Sequence, residues 1–189
     1  MKNKTLEYLK NLYNRNENGD YQIEVFLDKY ANAFNEWDSA YLEVRDLNPG
    51  LVYFLERCSK DIPFRENVEL KFIMHAAPDQ SHENLLKKAL KANFNYQFLS
   101  EKEELKQLYV KILKYFVISM IFLLSTFYLK PTMQYHIIST TLIEGLFIGG
   151  WVFLWQAISL FSFEKTGIVN KLKTYKRLLD AGIVFEYHE

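Results

Sequence analysis

The sequence predicts an α+β chain with a membrane part: a small cytoplasmic α/β domain, a two-helix transmembrane hairpin and a short C-terminal helix–strand tail. Three observations predict it. Charge is concentrated early, since residues 1–108 hold 15 Lys+Arg and 18 Asp+Glu, against 8 and 5 in residues 109–189. Two later runs are almost bare of charge: Tyr115 to Leu129, and Ile137 to Phe163, whose only charge is Glu144. Ahead of them, strand-like and helix-like periodicities alternate. The bounds that follow are 1–108 for the head, 109–163 for the hairpin (spans near 112–129 and 137–161) and 164–189 for the tail.

Composition narrows the partners. The 189 residues balance 23 Lys+Arg against 23 Asp+Glu, so no basic surface points to nucleic acid. At 49% hydrophobic and 16% aromatic the chain has ample material for a packed core, which excludes global disorder. A single cysteine, Cys58, excludes an internal disulfide framework and a multi-cysteine metal site.

In the head, Tyr21 to Leu27 (YQIEVFL) follows the turn signal Asn18-Gly19-Asp20 and reads as a strand. Asn48 is placed to cap a helix with Pro49 at its first position, and Leu51, Phe54, Leu55 and Cys58 recur on one side. That helix should stop near Ile62-Pro63. Val68 to Met74 (VELKFIM) alternates as a second strand. Ser81 with Asn84 is read as opening a helix that carries Leu85, Leu86, Leu90 and Phe94. From Glu101 a strongly helical pattern runs without a breaker into the first span.

A bilayer core about 30 Å thick needs about 20 helical residues to cross it, and both apolar runs meet that length. The second has enough excess to tilt. Neither lies near Met1, so neither reads as a signal peptide. Lys106, Lys111 and Lys114 precede the first span, and Lys165, Lys171, Lys173, Lys176 and Arg177 follow the second. The connecting loop offers only Lys130 and His136. By the positive-inside rule both termini face the cytoplasm of a plasma (inner) membrane, with the loop at Pro131 external. Tyr109 and Tyr115 at one end, and Tyr128 and Tyr135 at the other, suit the two headgroup belts.

In the tail, Val169 to Ala181 reads as a helix with Leu172, Tyr175 and Leu179 on one side and Gly182 as its C-terminal cap. Ile183 to Tyr187 reads as a short strand that either joins the sheet of the head or frays.

Glu144 is the outstanding candidate site, because an ionisable group inside a span costs about 2.5–3.5 kcal/mol and by default marks function. It reads first as a carboxyl that holds packed helices together, and as an alternative as an ion, proton or ligand site. At 100° per residue, Thr141, Ile148, Trp151 and Trp155 share its face, with Gly145, Gly149, Val152 and Gln156 on an adjoining stripe. Gly145-x-x-x-Gly149 is a close-approach motif for packed helices. This face is expected to meet the first span, whose Ser119, Ser125 and Thr126 offer hydroxyls, or a second copy of itself. His75, Asp79, His82 and Glu83 form a metal set on paper, but Pro78 breaks the helix that would align them, so no metal is expected. Cys58 reads as core. No phosphate-cradling glycine loop and no nucleophile elbow appears, so neither an enzyme nor a cofactor is expected.

Glu144 to Gln156 (EGLFIGGWVFLWQ) and Lys173 to Glu186 (KTYKRLLDAGIVFE) resemble a family of small prokaryotic two-span membrane proteins with a short α/β head. The resemblance covers about residues 68–186. It implies the fold plan and a membrane location, and it carries no activity and no catalytic residues. The expected function is therefore a non-enzymatic, membrane-anchored binding module that self-associates through its second span, with a protein partner for the head. The alternative is a membrane-perturbing or pore-forming effector, in stress or anti-phage defence, with Glu144 in the oligomer interior.

Overall fold

The computed structural model describes residues 12–75, 77–130 and 137–188. The N-terminal run MKNKTLEYLK, and the loop with Pro131, Tyr135 and His136, lie outside the described residues. The elements are β1 (Tyr21–Leu27), a 3-10 turn (Tyr30–Ala33), α1 (Pro49–Asp61), β2 (Val68–Met74), α2 (Gln80–Leu129), α3 (Ile137–Ser159), a π turn (Leu160–Glu164), α4 (Lys165–Asp180) and β3 (Gly182–Tyr187). The chain divides into two compact units: Met1–Leu99 with Lys171–Glu189, and Ser100–Asn170. It is mostly helical, with one small sheet and two long apolar helices.

In the first unit three parallel strands lie in the order β1-β2-β3. The tail strand therefore joins the sheet: β3 pairs with β2 from Glu69↔Gly182 to Met74↔Tyr187. Strand alternation sends Tyr21, Ile23, Leu70, Phe72 and Met74 into the core, where all are essentially inaccessible to water. Leu55 of α1, Leu86, Leu90 and Phe94 of α2, and Tyr175 and Leu178 of α4 belong to the same core. The opposite face carries a self-paired polar set beside the apolar Phe26, Ile73 and Val184. Gln22 donates to Glu69 at 2.7 Å, and Lys71 reaches Glu186 at 2.5 Å and Glu24 at 4.0 Å.

Helix α1 starts as its sequence dictates, with the Asn48 side chain accepting from the Gly50 amide and Pro49 in the first turn. It ends at Asp61, before Pro63. Leu51, Leu55 and Cys58 are buried, but Phe54 is exposed. The start of α2 also differs from expectation. Asp79 caps it, accepting from the amides of Ser81 (2.9 Å) and His82 (3.2 Å), so Ser81 lies inside the helix. The two helices expected on either side of residue 100 are one element, because nothing between Phe94 and Glu101 breaks the pattern.

The tail differs from expectation in two respects. Its buried face is Thr174, Tyr175, Leu178 and Ala181, with Leu172 and Leu179 at the margins. Gly182 does not cap α4 in a left-handed conformation: Gly19 alone has positive φ among the described residues, and Gly182 opens β3 instead. Asp180 to Gly182 is thus a direct helix-to-strand passage.

Candidate functional site

The second unit is a helical hairpin formed by α3 and the second half of α2. Its side-chain contacts run antiparallel: Tyr115 stacks on Phe153 at 6.0 Å, Ser119 meets Gly150, and Lys165 lies 5.7 Å over the ring of Tyr109. Burial follows a 3.5-residue period. On α3 the buried positions are Ile143, Gly150 and Ala157, seven apart, with Leu160 continuing the seam. On α2 they are Leu108, Ser119 and Thr126, with half-buried Ile112, Tyr115 and Phe122 between. A seam of this period is that of two helices packed side by side.

The residues at the centre of the seam are small, and the backbones come together there. Ser119 Oγ donates to the Gly150 carbonyl at 2.8 Å. A Cβ on Gly150 would lie 2.8 Å from the Leu123 side chain and 3.3 Å from its backbone nitrogen. At Gly149 it would meet the Phe122 ring at 3.2 Å, while at Gly145 nothing lies within 4 Å. The close approach is therefore Gly149-Gly150, and Gly145 takes no part in it. Of the three hydroxyl residues expected to serve the contact, only Ser119 crosses between helices. Ser125 and Thr126 donate to the Ile121 and Phe122 carbonyls of their own helix.

Of the predicted site face and its adjoining stripe, Gly149 meets the first span and the rest turns outward. Glu144, Thr141, Ile148, Trp151, Val152, Trp155 and Gln156 are all exposed, Trp155 at 70%. The heptad seam explains the difference. It turns Ile143 and Gly150 inward and leaves Glu144 about one position off the contact, at the edge of a groove with Thr126, Lys130 and Thr140. The missed residue, Gly150, was visible as the second half of a Gly-Gly pair. Only the seven-residue spacing to Ile143 and Ala157 distinguishes it from Gly145.

The predicted basic residues fall into two groups. Lys111 and Lys114 are exposed, and Lys165 covers the Phe161 ring at 4.2 Å beside Tyr109, forming a basic and aromatic end of the hairpin. Lys171, Lys173 and Lys176 are exposed in the first unit. Arg177 is different, for it is committed inside the head. Its guanidinium donates to Ser59 Oγ (2.8 and 3.1 Å) and to the carbonyls of Ile62 and Pro63 (3.0 Å each), and it stacks over Phe64. Burial pushes its pKa below the usual arginine value.

A second polar cluster lies at the carboxyl edge of the sheet. Tyr187 Oη donates to Glu83, Tyr30 Oη lies 2.7 Å from Tyr187 Oη, and the Asp79 amide donates to Tyr30. Burial first, and then the Glu83 carboxylate, push the Tyr187 phenol up. His82 pairs with Asp79 at 2.7 Å and stacks on Tyr30, whereas His75 lies beside Phe26 and Asp28. The four candidate metal ligands are thus divided between two places, and among the described residues no three such side chains converge. Burial pushes the Cys58 thiol up as well, which keeps it protonated in the core.

No protein-family model, no curated protein and no solved structure matches the chain.

Proposed function

We propose that the chain is an integral membrane protein whose hairpin anchors a non-enzymatic binding head, with both termini on the cytoplasmic side of the plasma membrane. The observation that carries this reading is the inverted burial of the hairpin. Two helices are long and apolar enough to cross a bilayer, yet only 11% of each apolar window is buried by protein. Ile121, Leu124, Ile148, Val152 and Trp155 are among the large apolar side chains left outside. In water such a surface would be far larger than a soluble monomer exposes. In lipid it is the expected outer surface, and every backbone group of a helix is already satisfied. The orientation is supported by the Lys residues gathered at the Lys114 and Lys165 end.

The same outward face supports self-association through the second span. Glu144 and Gly145 are free of the hairpin seam, so a second copy that packs there would shield the carboxyl from lipid. No nucleic acid, metal or cofactor enters this reading. Its alternative, a pore-forming effector with Glu144 towards an oligomer interior, uses the same face and differs only in whether the oligomer conducts.

The test is fractionation followed by labelling. The full chain should stay with membranes through carbonate extraction and dissolve in detergent. A cysteine at Thr132→Cys should react with an impermeant thiol reagent outside intact cells. Recovery of the chain in the soluble fraction without detergent would end the membrane reading, and failure of Thr132→Cys to label would reverse the orientation.

A further inference from the structure

We propose that the outer edge of β3 is a docking edge for β3 of a second copy, joining two heads into one continuous six-stranded sheet. The inference starts from hydrogen-bond parity. The His188 amide donates to the Met74 carbonyl, so even-numbered residues of β3 turn their backbone groups towards β2. Ile183, Phe185 and Tyr187 therefore turn their N–H and C=O groups to the outside, and among the described residues none of these groups has a backbone partner. The other edge of the sheet is treated differently. There the Gln22 amide is taken by the Asn14 carbonyl, and the Asn14 side chain donates to Glu24.

An open edge is normally blunted by lysine, proline or a bulge. β3, GIVFEY, has none of these, and its one charged side chain, Glu186, is held by Lys71 of β2. Its sequence is instead self-complementary in one antiparallel register. With a two-fold axis through Phe185, the outward-facing residues form three hydrogen-bonded pairs: Phe185 with its copy, and Ile183 with Tyr187 twice. On the other face Val184 stands opposite Glu186, so the two Glu186 carboxylates do not meet. Sliding by one pair in one direction sets Glu186 against Glu186, and like charges directly opposite are unfavourable. Sliding the other way loses the Tyr187 pairs. Because the axis is perpendicular to the sheet, Ile183 and Phe185 of both copies stay on the core side, where Phe185 already stacks on Phe72 at 5.5 Å. The pairing lies in the head and stands whether or not the second span associates.

The experiment uses the full chain in detergent. Val184→Cys and Glu186→Cys are made separately, with different tags, then mixed and oxidised. A non-hydrogen-bonded antiparallel pair sets Cα atoms about 4.5 Å apart, within disulfide reach. Disulfides should form between the two kinds of chain and not within one kind. Val184→Glu should weaken dimerisation about tenfold, because it meets Glu186 twice, while Val184→Lys should leave it intact or tighter. Gly145→Leu should not change the 184–186 disulfide. A monomer at all concentrations overturns the proposal, as does cross-linking of like chains only. Equal weakening by Glu and Lys at residue 184 also overturns it, since that is what a partner other than β3 would produce.

Discussion

The two units differ most in what they leave outside and in what lies at the centre of their contacts. In the head, large side chains such as Phe72, Phe94 and Leu55 are inside, and Lys71, Glu24 and Glu186 lie on the outer face of the sheet. In the hairpin, the centre of the seam is Ser119, Thr126, Gly150 and Ala157, with Leu108, Ile143 and Leu160 towards its ends, and the outside is Trp151, Trp155, Ile148 and Leu124. On the membrane reading proposed above, one chain follows two packing rules. Where water is the solvent, removing apolar area from it drives folding. Where lipid is the solvent, burying a leucine gains nothing, so helices pack through small residues, close backbones and cross-helix hydrogen bonds.

The largest effects should come from exchanging these rules. Phe72→Ala deletes a fully buried ring at the centre of the sheet and should cost the head about 3–5 kcal/mol, read as a lower denaturant midpoint for proteolytic protection of residues 12–99. Trp155→Ala removes a larger side chain from the hairpin but one that protein hardly touches. Its thermal midpoint in detergent should stay unchanged, while its partition into vesicles should fall. A loss of hairpin stability with Trp155→Ala as large as that of the head with Phe72→Ala would remove the contrast.

The next test is within the seam. Gly150→Ala brings a methyl group against Leu123, including its backbone, and disturbs the carbonyl that Ser119 holds. Overpacking of this kind costs about 1–3 kcal/mol. Gly145→Ala has open space around it and, in a helix interior, should be neutral or slightly stabilising. Thermal unfolding of both variants in the same detergent separates the seam from the outward face.

Much of this was legible in the sequence. YQIEVFL and VELKFIM announce strands because β-branched and aromatic residues alternate in them, and Asn48-Pro49 announces a helix because a cap and a fixed φ coincide. The seam was not legible from a single-helix wheel. At 100° per residue Glu144 and Gly145 look central, whereas two helices in contact impose a 3.5-residue period that selects Ile143 and Gly150. Arg177 was also misplaced by local pattern, since it sits among lysines in sequence. Its partners, Ser59, Ile62 and Pro63, are more than a hundred residues away and could not be inferred from spacing.

Arg177 sharpens the comparison inside the head, where a cation behaves as a buried fastener. Arg177→Met keeps the aliphatic stem but leaves the Ser59 hydroxyl and two carbonyls without their donor. Hydrogen bonds to a charged group are worth about 1.5–3 kcal/mol, and the head should lose that much. Lys173→Met, one turn away and exposed, should be neutral to stability. Equal denaturant midpoints for the two variants would show that Arg177 is only another solvated cation.

The smallest expected effect concerns pH at the start of α2. The Asp79 carboxylate is held below the usual carboxylate range by its bond to His82 and by the amides of His82 and Ser81. A carboxylate whose folded pKa is depressed contributes stability that is present above its unfolded pKa, about 3.9. That contribution is lost as pH falls through the lower folded value. Glu186, held down by Lys71, titrates in the same acid window on the open face of the sheet, so wild-type behaviour alone does not isolate the cap. Asp79→Asn does, since asparagine caps a helix as well as aspartate and does not ionise. Hydrogen exchange at the Ser81 and His82 amides should quicken in the wild type below about pH 4 relative to Asp79→Asn, after correction for intrinsic exchange. The hairpin amides around Gly150, whose carbonyl is held by the Ser119 hydroxyl, should show no such step. If the two variants keep parallel exchange profiles through the acid range, Asp79 caps the helix by geometry alone and its charge adds nothing.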